Sequence, residues 1–295
     1  MRIVVSLILM LLFAQAGRAA NPEEVTGLCK VISQKLSSVS FQECEGLKFQ
    51  QPRFYSLKKQ PILETHFPAD SGIKNPIRVL FIGGIHGDEY SSVSVTFKWL
   101  NTLKKHHSGA FDWHFLPLLN PDGMLQRKST RVNANQVDLN RNFISLVDAP
   151  SPLEHWKSYR AKQARYYPGE KPLSEPESRV IHRLIEEYRP TVIVSVHAPH
   201  GILDFDGHKN PPEKLGPLHL RHLGTYPGSL GNYGWFVKKT PVVTIELPYA
   251  GIMPAAGDIS RMWVDLVHWI RHKASPPDVV AEKQADSASA QTYSD

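Results

Sequence analysis

His86-Gly87-Asp88-Glu89 sets an imidazole and a carboxylate three residues apart, directly after an apolar run over residues 77–82 and the pair Gly83-Gly84. Where a buried strand hands over to a helix, both side chains reach one point above the carboxyl edge of a sheet. Zinc takes ligands of this kind, and a His2Glu set that leaves one position open is an established catalytic arrangement. H-x-x-E alone is a frequent coincidence in a chain with 14 histidines, so a third ligand and a base must come from elsewhere. Two further apolar runs end in such groups: 191–196 leads into His197, and 240–247 carries Glu246 near its end. A fourth polar cluster follows Asn120, after the run 113–119. His200, three residues from His197, and the pair His219 and His222 compete as ligands, but no carboxylate motif at a strand end accompanies the second pair, which reads as surface. Asp204 and Asp206, ahead of Gly207, read first as turn residues, with capture of a substrate ammonium as the alternative.

These residues need a sheet to bring them together. The runs 77–82, 113–119, 191–196 and 240–247 read as core strands, and the stretch 53–67 as a hairpin around Lys58-Lys59-Gln60. Apolar spacing predicts helices over 22–37, 90–105 and 257–273. Ser174-x-x-Glu177 with Pro176 reads as a capping box opening a helix over 176–188 that stops before Pro190. Strands separated by helices imply an α/β fold: a mixed, mostly parallel twisted sheet with helices on both faces.

The chain has 295 residues, 41% of them hydrophobic, enough to bury a substantial core. Residues 1–20 read as a secretory signal peptide, with Arg2, an apolar run over 3–13 and small-residue cleavage options at 14–16 or 17–19. That run is too short to span a bilayer, and no stable membrane insertion is expected. Residues 21–273 form the catalytic domain, and 274–295, rich in Pro, Ala, Ser, Gln and Asp, read as a disordered tail. Export places the protein in the periplasm or outside the cell, and there Cys29 and Cys44, the only two cysteines, are expected to pair. The net charge is +6, and +7 for residues 21–273, because Arg2 and Arg18 lie in the leader and the tail is acidic. A modestly basic secreted protein suits an anionic substrate or envelope surface, while nucleic acid finds no Lys/Arg run interleaved with aromatics.

In order, H-G-D-E, N-P-D-G, R-V-N, D-L-N-R-N-F, V-S-V-H and T-I-E-L resemble the zinc metallocarboxypeptidase superfamily of M14 type over about residues 77–248. D-L-N-R-N-F, H-A-P and P-G-S-L-G bring the resemblance nearest to bacterial murein peptide amidases, which cut the γ-D-glutamyl to diaminopimelate bond. The resemblance implies one zinc ion held by His86, Glu89 and His197, with Glu246 as general base. It implies Arg131 at the developing oxyanion, and Asn140 and Arg141 on the terminal carboxylate of a peptidoglycan stem peptide. Gln136 departs from the glycine usual before V-D-L-N-R-N-F, which predicts a different loop conformation and a displaced Arg131. His197 is followed by Ala-Pro-His, so the tyrosine that follows this histidine in digestive carboxypeptidases is absent, and Tyr233 and Tyr249 are candidates for a mobile tyrosine by neighbourhood only, each more often a packed aromatic. An ordinary-peptide carboxypeptidase, an aspartoacylase-like amidohydrolase and an inactive wall-peptide binder are the alternatives. The sequence leaves the oligomeric state open.

Overall fold

The computed structural model describes residues 22–146 and 149–274. The expected signal peptide and all but the first residue of the expected tail lie outside the described residues. Helices α1 (Pro22–Lys35) and α2 (Phe41–Glu45) come first, and Cys29 and Cys44 are joined in a disulfide between them. Strand β1 (Thr65–Phe67) leads to β2 (Arg78–Gly83), α3 (Tyr90–His106) and β3 (Asp112–Leu116). After the short helix α4 (Pro121–Met124) come α5 (Pro152–Tyr159), α6 (Pro176–Tyr188) and β4 (Val192–His197). The chain closes with β5 (Ile202–Asp206), the small pair β6 (Lys214–Leu215) and β7 (Leu218–His219), then β8 (Val242–Glu246) and α7 (Ala256–Lys273).

Among the described residues one six-stranded sheet runs β1-β3-β2-β4-β8-β5. The β3-β2-β4-β8 block is parallel, and the two edge strands pair antiparallel. The near-continuous apolar character of the parallel strands follows from burial on both faces. Phe81, Val194 and Ile245 pack on one side, with the apolar stripes of α1, α3 and α7. Leu80, Ile82, Ile193 and Val242 pack on the other, with α6.

The stretch 53–67 departs from the expected hairpin. It closes as a single Tyr55–Pro61 bridge, and only Thr65–Phe67 joins the sheet. Pro61 has no N–H for a ladder, and the loop's own N–H groups go elsewhere: Leu57 donates to Glu177 Oε1 at 3.0 Å and Lys58 to Asp122 Oδ2 at 2.8 Å. The same demand undoes the expected capping box. Helix α6 starts where predicted, but Glu177 turns into the protein to accept from Leu57 and Asn133, and Ser174 bonds Glu175 instead. Capping boxes form at Ser40/Glu43 and Ser151/Glu154. A further correction concerns Asp204 and Asp206. They are strand residues of β5, not turn residues, and their register against Thr244 and Val242 puts them on the sheet face that Glu246 shares.

Candidate metal centre and active site

Three neighbouring strands deliver the site. His86 and Glu89 follow β2, His197 ends β4, and Glu246 ends β8 exactly opposite His197 in the parallel register.

 The turn out of β2 brings the His86 loop against the loop after Asn120, and Gly87 permits it: a Cβ there would lie 2.4 Å from the Gly123 carbonyl carbon.

His86, Glu89 and His197 are all buried, and one donor atom from each lies within 4.8 Å of the others. His86 Nδ1 is 2.7 Å from Glu89 Oε1, His197 Nδ1 is 3.2 Å from Glu89 Oε2, and the two Nδ1 atoms are 3.1 Å apart. Two imidazole nitrogens and a carboxylate facing one point is an arrangement that a cation resolves. A tetrahedral zinc with bonds of about 2.0–2.1 Å sets its ligand atoms about 3.3 Å apart, so the donor set fits. The far ring nitrogens are held as metal-bound histidines require. His86 Nε2 lies 3.1 Å from Asp138 Oδ1, and His197 Nε2 lies 3.0 Å from Ser195 Oγ. Asp138 went unnoticed in the sequence reading, although it opens the D-L-N-R-N-F motif.

Burial works against charge on each of these groups, and the opposite charges around them outweigh it. Burial and then Arg131 push the His86 imidazole down, but the carboxylates of Glu89 and Asp138 outweigh them and raise it. Burial would raise Glu89 and Asp138, and it is overcome by His86 and His197 for Glu89, and by Arg131 and His86 for Asp138.

Arg131 stands beside the donor set. Its Nε donates to Asp138 Oδ2 at 2.9 Å and its Nη1 reaches Glu89 Oε1 at 3.5 Å. Gln136 takes the left-handed conformation, φ 60°, that a glycine there would favour. Asp138 caps a short 3-10 turn, Leu139–Arg141, by accepting from the Asn140 N–H. Asn140 Oδ1 accepts from the Leu230 N–H at 2.8 Å, tying this turn to the P-G-S-L-G segment. Gly228 lies so close that a Cβ would stand 2.2 Å from the Arg141 carbonyl oxygen. Arg141 itself has no carboxylate within ion-pair distance among the described residues, and its Nη1 donates to the Asn140 carbonyl. Glu246 is 8% exposed, and its Oε2 is buried without a hydrogen-bond partner.

Other candidates fall outside this constellation. His200, His219 and His222 are exposed. Tyr233 is fully buried, stacked on Phe143 and bonded to His182 under α6, whereas Tyr249 is 60% exposed on the loop after β8. Among the described residues no helix is long and apolar enough to cross a membrane.

Comparison with known proteins agrees with this geometry. The zinc carboxypeptidase family (peptidase M14) matches residues 39–213, which include His86, Glu89, Arg131, Asp138, Asn140, Arg141 and His197 but not Glu246. Murein peptide amidase A of Vibrio campbellii is 31% identical over 194 residues, 62% of this chain and 73% of that protein. Its namesake in Escherichia coli K12 is 34% identical over 173 residues, 52% of this chain and 64% of that protein. The chain thus spans slightly under two thirds of the second relative. Among solved structures, the murein-tripeptide amidase MpaA of Escherichia coli O157 superposes with a TM-score of 0.51 at 27% identity, over 73% of this chain and 88% of that one. Carboxypeptidase A of Helicoverpa armigera shares the fold, with a TM-score of 0.58 at 17% identity over 76% and 68% of the two chains.

Proposed function

The chain belongs to the zinc carboxypeptidase family, and from that premise we propose that it is an exported hydrolase of peptidoglycan stem peptides whose preferred bond joins γ-D-glutamate to meso-diaminopimelate. The convergence of His86, Glu89 and His197 carries the reading, in a chain that over part of its length also aligns with two murein peptide amidases. His86, Glu89 and His197 would hold the zinc, which when bound would supply Lewis acidity for a carbonyl and a water molecule. Glu246 takes the proton from the attacking water on its unpartnered Oε2 and passes it to the departing amine. Arg131, oriented by Asp138, directs a guanidinium N–H at the oxygen where negative charge develops. Arg141, with Asn140 beside it, takes the terminal carboxylate, the planar fork giving both charge and direction. The signal-peptide-like sequence of residues 1–20 and the Cys29–Cys44 disulfide support work outside the cytoplasm, on the wall itself.

Mass spectrometry of L-Ala-γ-D-Glu-meso-diaminopimelate incubated with the protein, with and without a zinc chelator, tests the reading. Release of free diaminopimelate that the chelator abolishes is the expected result. An intact tripeptide, with protein shown to hold zinc, refutes the proposed bond.

A further inference from the structure

The roles above leave out one arginine that shares its aromatic neighbours with Arg131 and Arg141. Arg160 follows α5, its N–H donating to the Trp156 carbonyl at 3.3 Å. Its guanidinium carbon lies 5.2 Å from the ring centre of Tyr166 and 4.7 Å from that of Tyr226. Each ring also carries a second arginine: Arg131 stands 5.5 Å from Tyr166, and Arg141 stands 4.8 Å from Tyr226. The side chains therefore alternate, Arg131, Tyr166, Arg160, Tyr226, Arg141, in an unbroken string from the metal donors to the carboxylate grip.

The charges along this string do not balance. Arg131 is paired with Asp138, but among the described residues neither Arg141 nor Arg160 has a carboxylate within ion-pair distance. Arg160 makes no side-chain hydrogen bond to another described residue, so its five N–H donors have only ring faces and water. Aromatic faces attract a cation, by about 0.5–1 kcal/mol at exposed sites, and offer nothing in the plane of the guanidinium where its donors point. Burial first, and then the neighbouring guanidiniums Arg131 and Arg160, push Arg141 below its ordinary value against the pull of Asp138. Such a string is completed by anions that arrive with the substrate. Arg141 accounts for the terminal carboxylate, which leaves Arg160 for another.

We propose that Arg160, held edge-free between Tyr166 and Tyr226, is a specificity-determining residue that binds a second carboxylate of the peptide substrate. That carboxylate has two possible sources: the free α-carboxylate of a γ-linked glutamyl residue on the acyl side, or the side-chain carboxylate of the released residue. The inference rests on the proposed function for the placement of Arg141 on the terminal carboxylate.

The test compares the zinc-loaded wild type with Arg160→Gln and Arg160→Lys on three peptides. They are L-Ala-γ-D-Glu-meso-diaminopimelate, the same peptide with the glutamyl α-carboxyl amidated, and the same with the distal diaminopimelyl carboxyl amidated. On the parent peptide Arg160→Gln is expected to raise KM about 10- to 100-fold, as loss of a charge-assisted pair does, with kcat changed far less. Arg160→Lys recovers part of that loss. The penalty disappears on whichever amide lacks the carboxylate that Arg160 binds, and so identifies the source. An equal penalty on all three peptides, or none on the parent, overturns the inference, and zinc content and melting temperature expose a variant that merely misfolds. If the wild type cleaves none of the three but trims ordinary peptides, the γ-glutamyl assignment fails alone. Arg160 is then judged by the same criterion on N-acyl dipeptides carrying Glu or Gln at either position.

Discussion

Two buried polar regions share one face of the sheet, and they differ in how completely they are satisfied. Under the β1–β3 edge, Glu64 accepts from Arg53 Nη2 at 2.8 Å and Nε at 2.9 Å, while Asp112 accepts from the Tyr188 hydroxyl at 2.6 Å and stands 2.7 Å from His66 Nε2. His114 Nε2 lies 2.7 Å from Glu64 Oε1, outside hydrogen-bond geometry. Among the described residues, the Glu64 and Asp112 carboxylates there both have partners supplied by the chain. At the carboxyl edge, among the described residues, Glu246 keeps a bare buried oxygen, two histidine nitrogens face each other, and Arg141 and Arg160 have no carboxylate within ion-pair distance. Buried groups left unpaired cost stability, so they persist where a ligand completes them. The first region is fitted to hold the fold, the second to hold something else.

Breaking the second region should cost activity and little stability. Glu246→Gln is expected to lower kcat about 10²- to 10⁴-fold while zinc content, by metal analysis, stays at one ion per chain. Loss of zinc along with turnover would place Glu246 among the ligands. Arg131→Ala is expected to lower kcat about 10²- to 10³-fold, the usual loss when one oxyanion donor goes, and steady-state kinetics check it.

Breaking the first region, or the disulfide beside α3, should do the opposite. Replacing Cys29 and Cys44 by alanine is expected to destabilise by about 3 kcal/mol, since their separation of 15 residues closes a loop of that order. Urea unfolding measures it, and an unchanged midpoint would count against the disulfide as a staple. The smaller prediction concerns acid. Burial alone would raise the Glu64 carboxyl, but His114 and Arg53 outweigh it and hold it down to about 2. Because the folded value lies below the ordinary one, the stability it contributes is complete above pH 4.5 and is lost as pH falls towards about 2. Glu64→Gln should therefore flatten the acid limb of the stability profile of chelator-treated protein, and a limb as steep as the wild type's would show that other carboxylates set it. Smallest of all, Gln136→Gly should stabilise by no more than about 1 kcal/mol, relieving the left-handed backbone while adding chain entropy.

Much of this was legible in the residues. Long apolar runs, read with the Gly, Pro and capping signals around them, set the four parallel strands and the helices α1, α3, α6 and α7, because burial on both faces or along one stripe leaves a local pattern. Short edge elements left a weaker one. Thr65–Phe67 and Ile202–Asp206 are strands through pairing with a neighbour, so 53–67 read as a hairpin and Asp204 and Asp206 as a turn. The capping box at Ser174 had the right letters, but Leu57 and Asn133, distant in sequence, claimed the Glu177 carboxylate.

Within the site the division is the same. By itself the sequence determined the metal-ligand types, His86, Glu89 and His197, and the order of the motifs, because strand ends and residue chemistry are local facts. Only the tertiary structure decided that Asp138 steadies both His86 and Arg131, that Glu246 carries a buried oxygen without a partner, and that Arg160 stands between two rings already bearing Arg131 and Arg141. Each of those depends on distances between side chains far apart in the chain, and a hydrogen bond or a ring contact exists only once folding has fixed such distances.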